Sequence, residues 1–232
     1  MTADGSAGVW CVVVAAGSGT RFGGPKHLAD LRGRSVLQRS VDVASRAAGG
    51  VVVVLAPGSE AAVEGADAVV AGGDSRSASV ANGLAAVPGG ADVVLVHDAA
   101  RPLASDALFA RVVDAVKGGA DAAVPVIAVV DTIRHVDGGT VDRDRLRAVQ
   151  TPQGFRAAAL RAVHDRGGLA TDDASLVEED GGRVVLVEGE RSNLKITEPA
   201  DLAVAAALFD LGPAARAPQG DSATSPGGDS AS

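Results

Sequence analysis

The feature that most constrains the fold is a series of short Val-rich runs in which apolar residues do not alternate with polar ones. They occupy residues 9–15, 51–55, 93–96, 122–126 and 184–187, and segments with helical spacing lie between them at 36–48, 77–87, 106–117, 157–166 and 199–209. Strands of this kind are covered on both faces. Strands that alternate with helices along a chain form a layered α/β sheet.

The composition bounds the class of protein. The 232 residues are 47% hydrophobic but only 2% aromatic, so the core has to be built from Val, Ala and Leu. The formal charge of −8 at pH 7 argues against a basic module that binds nucleic acid. Cys11 is the single cysteine, which excludes an intrachain disulfide framework and a thiolate metal cluster and favours a reducing compartment.

Neither a membrane span nor a secretory signal is indicated by the sequence. The longest apolar run, residues 122–130, is shorter than the roughly 18 residues that a spanning helix needs. The apolar run at residues 9–16 lacks the preceding basic residues of a secretory signal. We therefore expect a cytoplasmic protein without a membrane partner.

Two segments depart from the alternation of strands and helices. Residues 131–150 are polar, with turn residues at 137–139, and predict a hairpin-like arm that projects from the sheet. From residue 212 onward the chain is rich in Pro, Gly, Ser and Ala and has no apolar periodicity. We expect one domain over residues 1–211 and a disordered tail over 212–232.

A glycine-rich segment with two cations, Arg21 and Lys26, follows the first predicted strand. Ligands of α/β sheets bind beyond the carboxyl ends of the strands. Glycines let backbone N–H groups approach phosphate oxygens closely, and the cations neutralise charge. A dinucleotide fingerprint is excluded by Phe22 at the third glycine position, and a P-loop is excluded because His27 follows the lysine. The segment predicts a polyphosphate-binding loop, with a plain turn and solvated cations as the alternative.

Further blocks accompany this loop in the sequence. They are Gly72-Gly73-Asp74-Ser75-Arg76, His97-Asp98-Ala99-Ala100-Arg101-Pro102, Asp131-Thr132, Thr151-Pro152-Gln153 and Asn193-Leu194-Lys195-Ile196-Thr197. With the segment 15–26, their order and separation resemble the 2-C-methyl-D-erythritol 4-phosphate cytidylyltransferase family over residues 9–211. The resemblance implies a Rossmann-like, mostly parallel layered sheet of nucleotidyltransferase type with a projecting β-arm.

The resemblance also implies a reaction. The 4-phosphate of 2-C-methyl-D-erythritol 4-phosphate, a polyol phosphate, would attack the α-phosphorus of CTP, and pyrophosphate would leave. Catalysis is then positioning and charge stabilisation. Mg²⁺ is expected to bridge the phosphates. A homodimer is expected in which the arm crosses to the partner subunit.

The resemblance assigns roles to individual residues. Arg21 and Lys26 would stabilise the transition state, and Arg143 and Lys195 would orient the acceptor phosphate. Asp98 is the candidate metal ligand, with the phosphates as the alternative way of holding the ion. Substrate-binding positions are expected at Ala15, Ala16, Gly17, Gly73, Asp74, Ser79, Asp98, Ala99, Arg101, Thr132 and Thr151.

Simpler structural roles remain open for several of these residues. Ser79 lies near a predicted helix start, where its hydroxyl either contacts the edge of a base or caps the helix. Asp98 and Arg101 form, as an alternative, an ion pair that holds their turn. Arg143 belongs to a charged cluster of exposed type. Arg76 is expected to be structural or solvated, and residues 171–174 indicate a helix start.

The sequence also departs from the family pattern. Two residues separate Phe22 from Pro25 where the family commonly has four, and His27 replaces the usual Gln. Alternatives for the function are a ribitol-5-phosphate cytidylyltransferase, a molybdopterin-type guanylyltransferase and a nucleotide-binding module without turnover.

Overall fold

The computed structural model describes residues 8–17, 19–59, 61–168, 170 and 172–212. The α-helices are α1 (Val36–Ala47), α2 (Arg76–Ala85), α3 (Asp106–Lys117), α4 (Ala157–Asp165), α5 (Asp173–Glu179) and α6 (Pro199–Asp210). The strands are β1 (Val9–Ala15), β2 (Asp30–Leu31), β3 (Arg34–Ser35), β4 (Gly50–Leu55), β5 (Ala68–Ala71), β6 (Val93–Asp98), β7 (Ala122–Ala128), β8 (Ile133–Arg134), β9 (Thr140–Val141), β10 (Arg147–Val149), β11 (Gln153–Arg156) and β12 (Val184–Glu188).

The main sheet has eight strands in the order β10-β7-β11-β6-β1-β4-β5, with β12 paired to β7. β1 pairs in parallel with both β4 and β6, and β5 and β12 also pair in parallel with their neighbours. β10 and β11 run antiparallel to theirs. This is the predicted α/β sheet, mostly parallel and layered. Because Val14 is in register with Asp98, the loop after β1 begins beside the end of β6.

Helices cover both faces of the sheet, as the lack of polar alternation predicts. Successive residues of β1 point to opposite faces: Val13 packs in the cluster that includes α1 and α3, and Val12 packs with α2, α4 and α5. A third cluster joins Leu31 and Ile196 to α6. Nearly every member is Val, Ala or Leu, so the core follows from the composition.

The predicted elements are found close to their predicted bounds. β2, β3, β5 and β11 were not predicted from the pattern, because each is only two to four residues long. The arm is present as a hairpin in which Ile133 pairs with Val141, and β10 returns the chain to the sheet. The predicted tail lies outside the described residues from position 213. None of the helices in the described residues has the length and apolar content needed to cross a membrane.

Candidate active site

A cavity of about 450 Å³ lies at the carboxyl ends of β1 and β6. Its walls come from four parts of the chain: the end of β1 with its loop, the loop before α2, the end of β6, and the irregular segment between β12 and α6. The predicted site residues that line it are Ala15, Ala16, Gly17, Lys26, Gly73, Asp74, Ser79, Asp98, Ala99 and Lys195. The fold therefore brings distant segments of the sequence to one edge of the sheet.

The loop after β1 folds into a tight turn that needs glycine. Gly19 has φ of 65°, in the left-handed region, and a Cβ there would lie 2.0 Å from the carbonyl oxygen of Gly24. Phe22 N donates to Gly19 O at 2.9 Å. Arg21, in this turn, is exposed and outside the cavity lining, but its charge contributes to lowering the pKa of Lys26. The shortened loop thus still places both cations near each other.

Lys26 and Lys195 line the same cavity from different segments of the chain. Nζ of Lys195 lies 2.7 Å from Oδ2 of Asp98, and Nζ of Lys26 donates to the carbonyl oxygen of Ile196 at 2.9 Å. Burial and the nearby Lys195 lower the pKa of Lys26. The two ammonium groups therefore repel each other, and an anion bound between them relieves that repulsion.

Asp98 is held as a carboxylate. Burial alone would raise its pKa, but Lys195, Arg76 and Arg101 outweigh burial and hold the pKa below its ordinary value. The predicted alternative, an Asp98–Arg101 pair, is present only at 4.0 Å, longer than the contact with Lys195. Lys195 is therefore the principal partner of Asp98 in this structure.

The loop before α2 is braced by two serines. Ser75 caps the helix, since its hydroxyl accepts from Ala78 N at 3.0 Å. The hydroxyl of Ser79 accepts from Gly73 N at 3.1 Å and donates to Ser75 O at 2.9 Å. The capping alternative for Ser79 is therefore wrong: the side chain spans the loop and lines the cavity.

Thr151 lies behind Asp98 and does not line the cavity. Its Oγ1 accepts from Asp98 N at 2.9 Å and lies 3.2 Å from Nδ1 of His97, whose Nε2 lies 3.2 Å from the carbonyl oxygen of Arg101. Because the Thr151 hydroxyl accepts from the amide of Asp98, its own proton can be donated to Nδ1 of His97. The imidazole proton is therefore assigned to Nε2, which faces the carbonyl oxygen of Arg101. Burial lowers the pKa of His97 to about 4, so the ring is neutral.

Arg101 also lies outside the cavity lining. Its Nη1 donates to Asn193 O at 2.7 Å, and its Nη2 donates to Val149 O at 3.2 Å. The guanidinium joins the turn after β6 to the base of the arm and to the segment that carries Lys195. A substrate contact by Arg101 or Thr151 stays a prediction.

The arm residues Thr132 and Arg143 are exposed and do not reach this chain's own cavity. The guanidinium of Arg143 donates to the carbonyl oxygen of Val130. Their predicted role concerns the site of a second subunit, and it stays a prediction.

Arg76 and His27 are among the lining residues that had no predicted role at the site. Arg76 lines the cavity and is ion-paired, so the structural role predicted for it holds but is incomplete. His27 is buried beside Lys26, and burial and that lysine's charge lower its pKa. The adjoining motifs contain both residues, but their side-chain direction depends on the turn and helix that carry them.

The carboxylates that line the cavity are too few to hold a cation by themselves. They fit a cation whose remaining ligands come from a bound substrate. The described residues contain no group of three or more His, Cys, Asp or Glu side chains that could hold a metal ion. Asp74 and Asp98 are the carboxylates that line the cavity. Mg²⁺ is commonly held by one or two carboxylates together with phosphate oxygens and waters. The donor set fits that mode.

Comparisons with known proteins agree with the resemblance. The family model described as 2-C-methyl-D-erythritol 4-phosphate cytidylyltransferase (IspD) matches residues 9–210. A relative of that name from Rhodococcus jostii is 47% identical over an alignment of 224 positions, which covers 90% of this chain and 99% of the relative. Another of that name, from Streptomyces avermitilis, is 44% identical and covers 85% of this chain and 90% of its own length.

A solved structure gives the same result for the fold. The crystal structure of 2-C-methyl-D-erythritol 4-phosphate cytidylyltransferase from Thermus thermophilus superposes with a TM-score of 0.76 at 41% identity. The match covers 86% of this chain and 98% of that one. The chain therefore belongs to the 2-C-methyl-D-erythritol 4-phosphate cytidylyltransferase family of nucleotidyltransferase enzymes.

Proposed function

We propose that the protein transfers CMP from CTP to 2-C-methyl-D-erythritol 4-phosphate, releasing pyrophosphate and forming CDP-methylerythritol for isoprenoid precursor synthesis. The observation that carries the proposal is the convergence at one cavity of Lys26, Lys195 and Asp98, beside the loop of Gly73 and the hydroxyl of Ser79. Lys26 reaches a carbonyl group 170 residues away in sequence to form this arrangement.

The chain's own residues account for the reaction as follows. An oxygen of the acceptor phosphate attacks the α-phosphorus, a P–O bond forms, and the bond to the β-phosphate oxygen breaks with its electron pair leaving on pyrophosphate. Lys26 and Arg21 stabilise negative charge on the phosphoryl oxygens, and Lys195 exchanges Asp98 for the acceptor phosphate. One cation–phosphate contact at 4 Å is worth about 4 kcal/mol at an effective dielectric near 20, before desolvation.

In this proposal, the cytosine is held by Gly73, Asp74 and Ser79. The end of β1 and its loop contact the nucleotide through Ala15, Ala16 and Gly17. Ala99 and Asp98 lie between nucleotide and acceptor. What supports the assignment is that all of them line one cavity. Arg101 and Thr151 act beside them by fixing the turn after β6 and the backbone of Asp98.

Mg²⁺ is proposed as the cofactor, held by Asp98 and the substrate phosphates. When bound, the ion supplies positive charge that brings the phosphate oxygens together. Asp98 fits this role because its lowered pKa keeps it ionised near neutral pH. Lys195 contributes by releasing that carboxylate when it turns to the acceptor.

A homodimer with exchanged arms is the proposed assembly. The arm supports it by exposing apolar side chains, among them Val136 and Val149, which a partner subunit would cover. Crossing would bring Thr132 and Arg143 to the partner's acceptor phosphate. The cytoplasm is the proposed compartment, consistent with the buried free thiol of Cys11.

An acceptor-dependent pyrophosphate assay tests the function. With CTP and Mg²⁺, release of pyrophosphate is expected on addition of 2-C-methyl-D-erythritol 4-phosphate and not on addition of ribitol 5-phosphate. GTP in place of CTP is expected to give no turnover. Preference for ribitol 5-phosphate or for GTP would overturn the substrate assignment. CTP binding without turnover at saturating acceptor would favour a silent binding module.

A further inference from the structure

A buried carboxylate that the proposed reaction does not use lies behind the nucleotide side of the cavity. Asp173 begins α5, and its side chain is fully buried. Its Oδ2 lies 2.6 Å from Nη1 of Arg76, and its Oδ1 lies 3.1 Å from Nε2 of His164. Burial alone would raise the pKa of Asp173, but its bonds with His164 and Arg76 outweigh burial and lower it. Asp173 is therefore a buried anion with two partners.

Arg76 connects this anion to the cavity. It is the first residue of α2, and its side chain, 27% exposed, lines the cavity together with Asp74, Ser79 and Asp98. Its charge also contributes to lowering the pKa of Asp98, so its electrostatic influence reaches the reacting end of the cavity. The guanidinium thus presents positive charge to a bound anion while Asp173 fixes its direction.

A second link ties the same turn of α2 to the segment before α5. The hydroxyl of Ser77 donates to Ala170 O at 2.9 Å and accepts from Ala170 N at 3.1 Å. Gly73 and Ser79 belong to the loop and helix turn that these contacts anchor. A shift of the first turn of α2 would therefore move the wall assigned to the nucleotide.

We propose that Asp173 is a positioning residue that holds Arg76 at the cavity wall, where the guanidinium contacts the anionic nucleotide. The proposal rests on the proposed function, because it takes CTP as the nucleotide at that wall. Asp173 does not touch the substrate. The acceptor lies on the side of Lys195, so the main effect of the pair is expected on the nucleotide.

A double-mutant cycle on CTP affinity tests this inference. Calorimetric dissociation constants for CTP with Mg²⁺ are compared among the wild type, Asp173→Asn, Arg76→Gln and the double variant. Each single substitution is expected to weaken CTP about tenfold, and the double variant also about tenfold, because both remove one interaction. The KM for the acceptor is expected to stay within about twofold of the wild-type value, whereas a general loss of structure would change both substrates.

Glu190→Gln is the matched control. Glu190 and Arg111 form an ion pair with side-chain exposures of 1% and 30%, close to the 0% and 27% of Asp173 and Arg76. Neither Glu190 nor Arg111 lines the cavity. The control is expected to lower thermal stability as Asp173→Asn does, but to leave CTP affinity within about twofold of the wild type.

Three results would overturn the inference: CTP affinity of Asp173→Asn within twofold of the wild type, an equal loss in Glu190→Gln, or multiplying effects in the double variant. If Asp173→Asn does not fold, Arg76→Gln decides, and unchanged CTP affinity in that variant rejects the proposal. A wild type that binds CTP without acceptor-dependent turnover would overturn the proposed function alone, since the affinity cycle still applies. A wild type that does not bind CTP would overturn both.

Discussion

Asp98 and Asp173 are both buried carboxylates with lowered pKa values, yet their surroundings differ. Asp98 ends a strand, lines the cavity and is paired with Lys195, whose side chain is 45% exposed. Asp173 lies between helices and is bound by Arg76 and by His164, whose side chain is only 5% exposed. A carboxylate whose partner is solvent-accessible can exchange that partner for a ligand. A carboxylate that is enclosed by its partners keeps them and holds the surrounding elements in place.

The largest effect is expected on the cavity side, from Lys26→Ala. Loss of a preorganised positive group facing phosphoryl oxygens typically lowers kcat by about 10²–10³-fold, or about 2.7–4 kcal/mol. Steady-state kinetics with CTP and the acceptor are expected to show this loss in kcat with little change in acceptor KM.

Lys195→Ala is the comparison variant, because its lysine is assigned to the acceptor and should raise acceptor KM as well. An unchanged turnover number in Lys26→Ala would contradict its role at the transition state. Equal KM changes in both variants would remove the distinction between the two lysines.

The second expected effect is a difference between the contributions of the two carboxylates to the free energy of unfolding. Asp173→Asn is expected to lower the free energy of unfolding by about 3 kcal/mol, because it breaks a buried pair and leaves Arg76 without its counter-charge. Asp98→Asn is expected to lower it by less than about 1 kcal/mol, since Lys195 can turn to solvent. Urea denaturation of both variants at pH 7 measures the difference. Equal losses would show that the two ion pairs contribute equally to the stability of the fold.

The third expected effect is a pH dependence from the histidine behind Asp98. The pKa of His97 is about 4 in the fold against an ordinary 6.5, so the unfolded chain binds more protons between these values. Stability from this group is therefore present above pH 6.5 and lost as the pH falls. From pH 6.5 to 5 the loss is about 1.5 kcal/mol.

Urea denaturation at pH 6.5 and pH 5 measures this loss, and His97→Gln is the control. Glutamine does not titrate, so the variant should lose less stability over the same pH interval even if it is less stable at pH 7. An equal pH dependence in the wild type and the variant would contradict a neutral, buried His97.

The sequence predicts the sheet and its helices because burial on both faces leaves a direct mark, as in the uninterrupted apolar residues of β1 and β4. It also predicts which strand ends carry chemistry, and the fold gathers Lys26, Asp98 and Lys195 there. Side-chain partners at those ends were not predictable. Thr151 and Arg101 belong to motifs next to the site, but their side chains turn toward backbone groups.

The cavity wall formed by the loop before α2 and the start of α2 also has side-chain partners that the sequence does not predict. Residues 171–174 indicate a helix start, and Asp172 does cap α5 by accepting from Ala174 N at 3.0 Å. The neighbouring Asp173 instead meets Arg76, which lies 97 residues earlier. Local pattern identifies a cap because the cap's partner is adjacent in sequence. It does not identify a contact that depends on how α2, α4 and α5 pack.

The smallest expected effect concerns the hydroxyl that holds Asp98 in place. Thr151→Val keeps the shape of the side chain but leaves Asp98 N and His97 Nδ1 without their buried partner, which costs about 1 kcal/mol of unfolding free energy. Because the carboxylate is then less well oriented toward Lys195, kcat/KM should fall several-fold. Thr151→Ser retains the hydroxyl and should keep most of the activity. If the valine variant matched the serine variant in both stability and kcat/KM, the position of the Asp98 backbone would not depend on the Thr151 hydroxyl. In that case, a carboxylate held in a fixed orientation would not be needed for Asp98 to exchange Lys195 for a ligand.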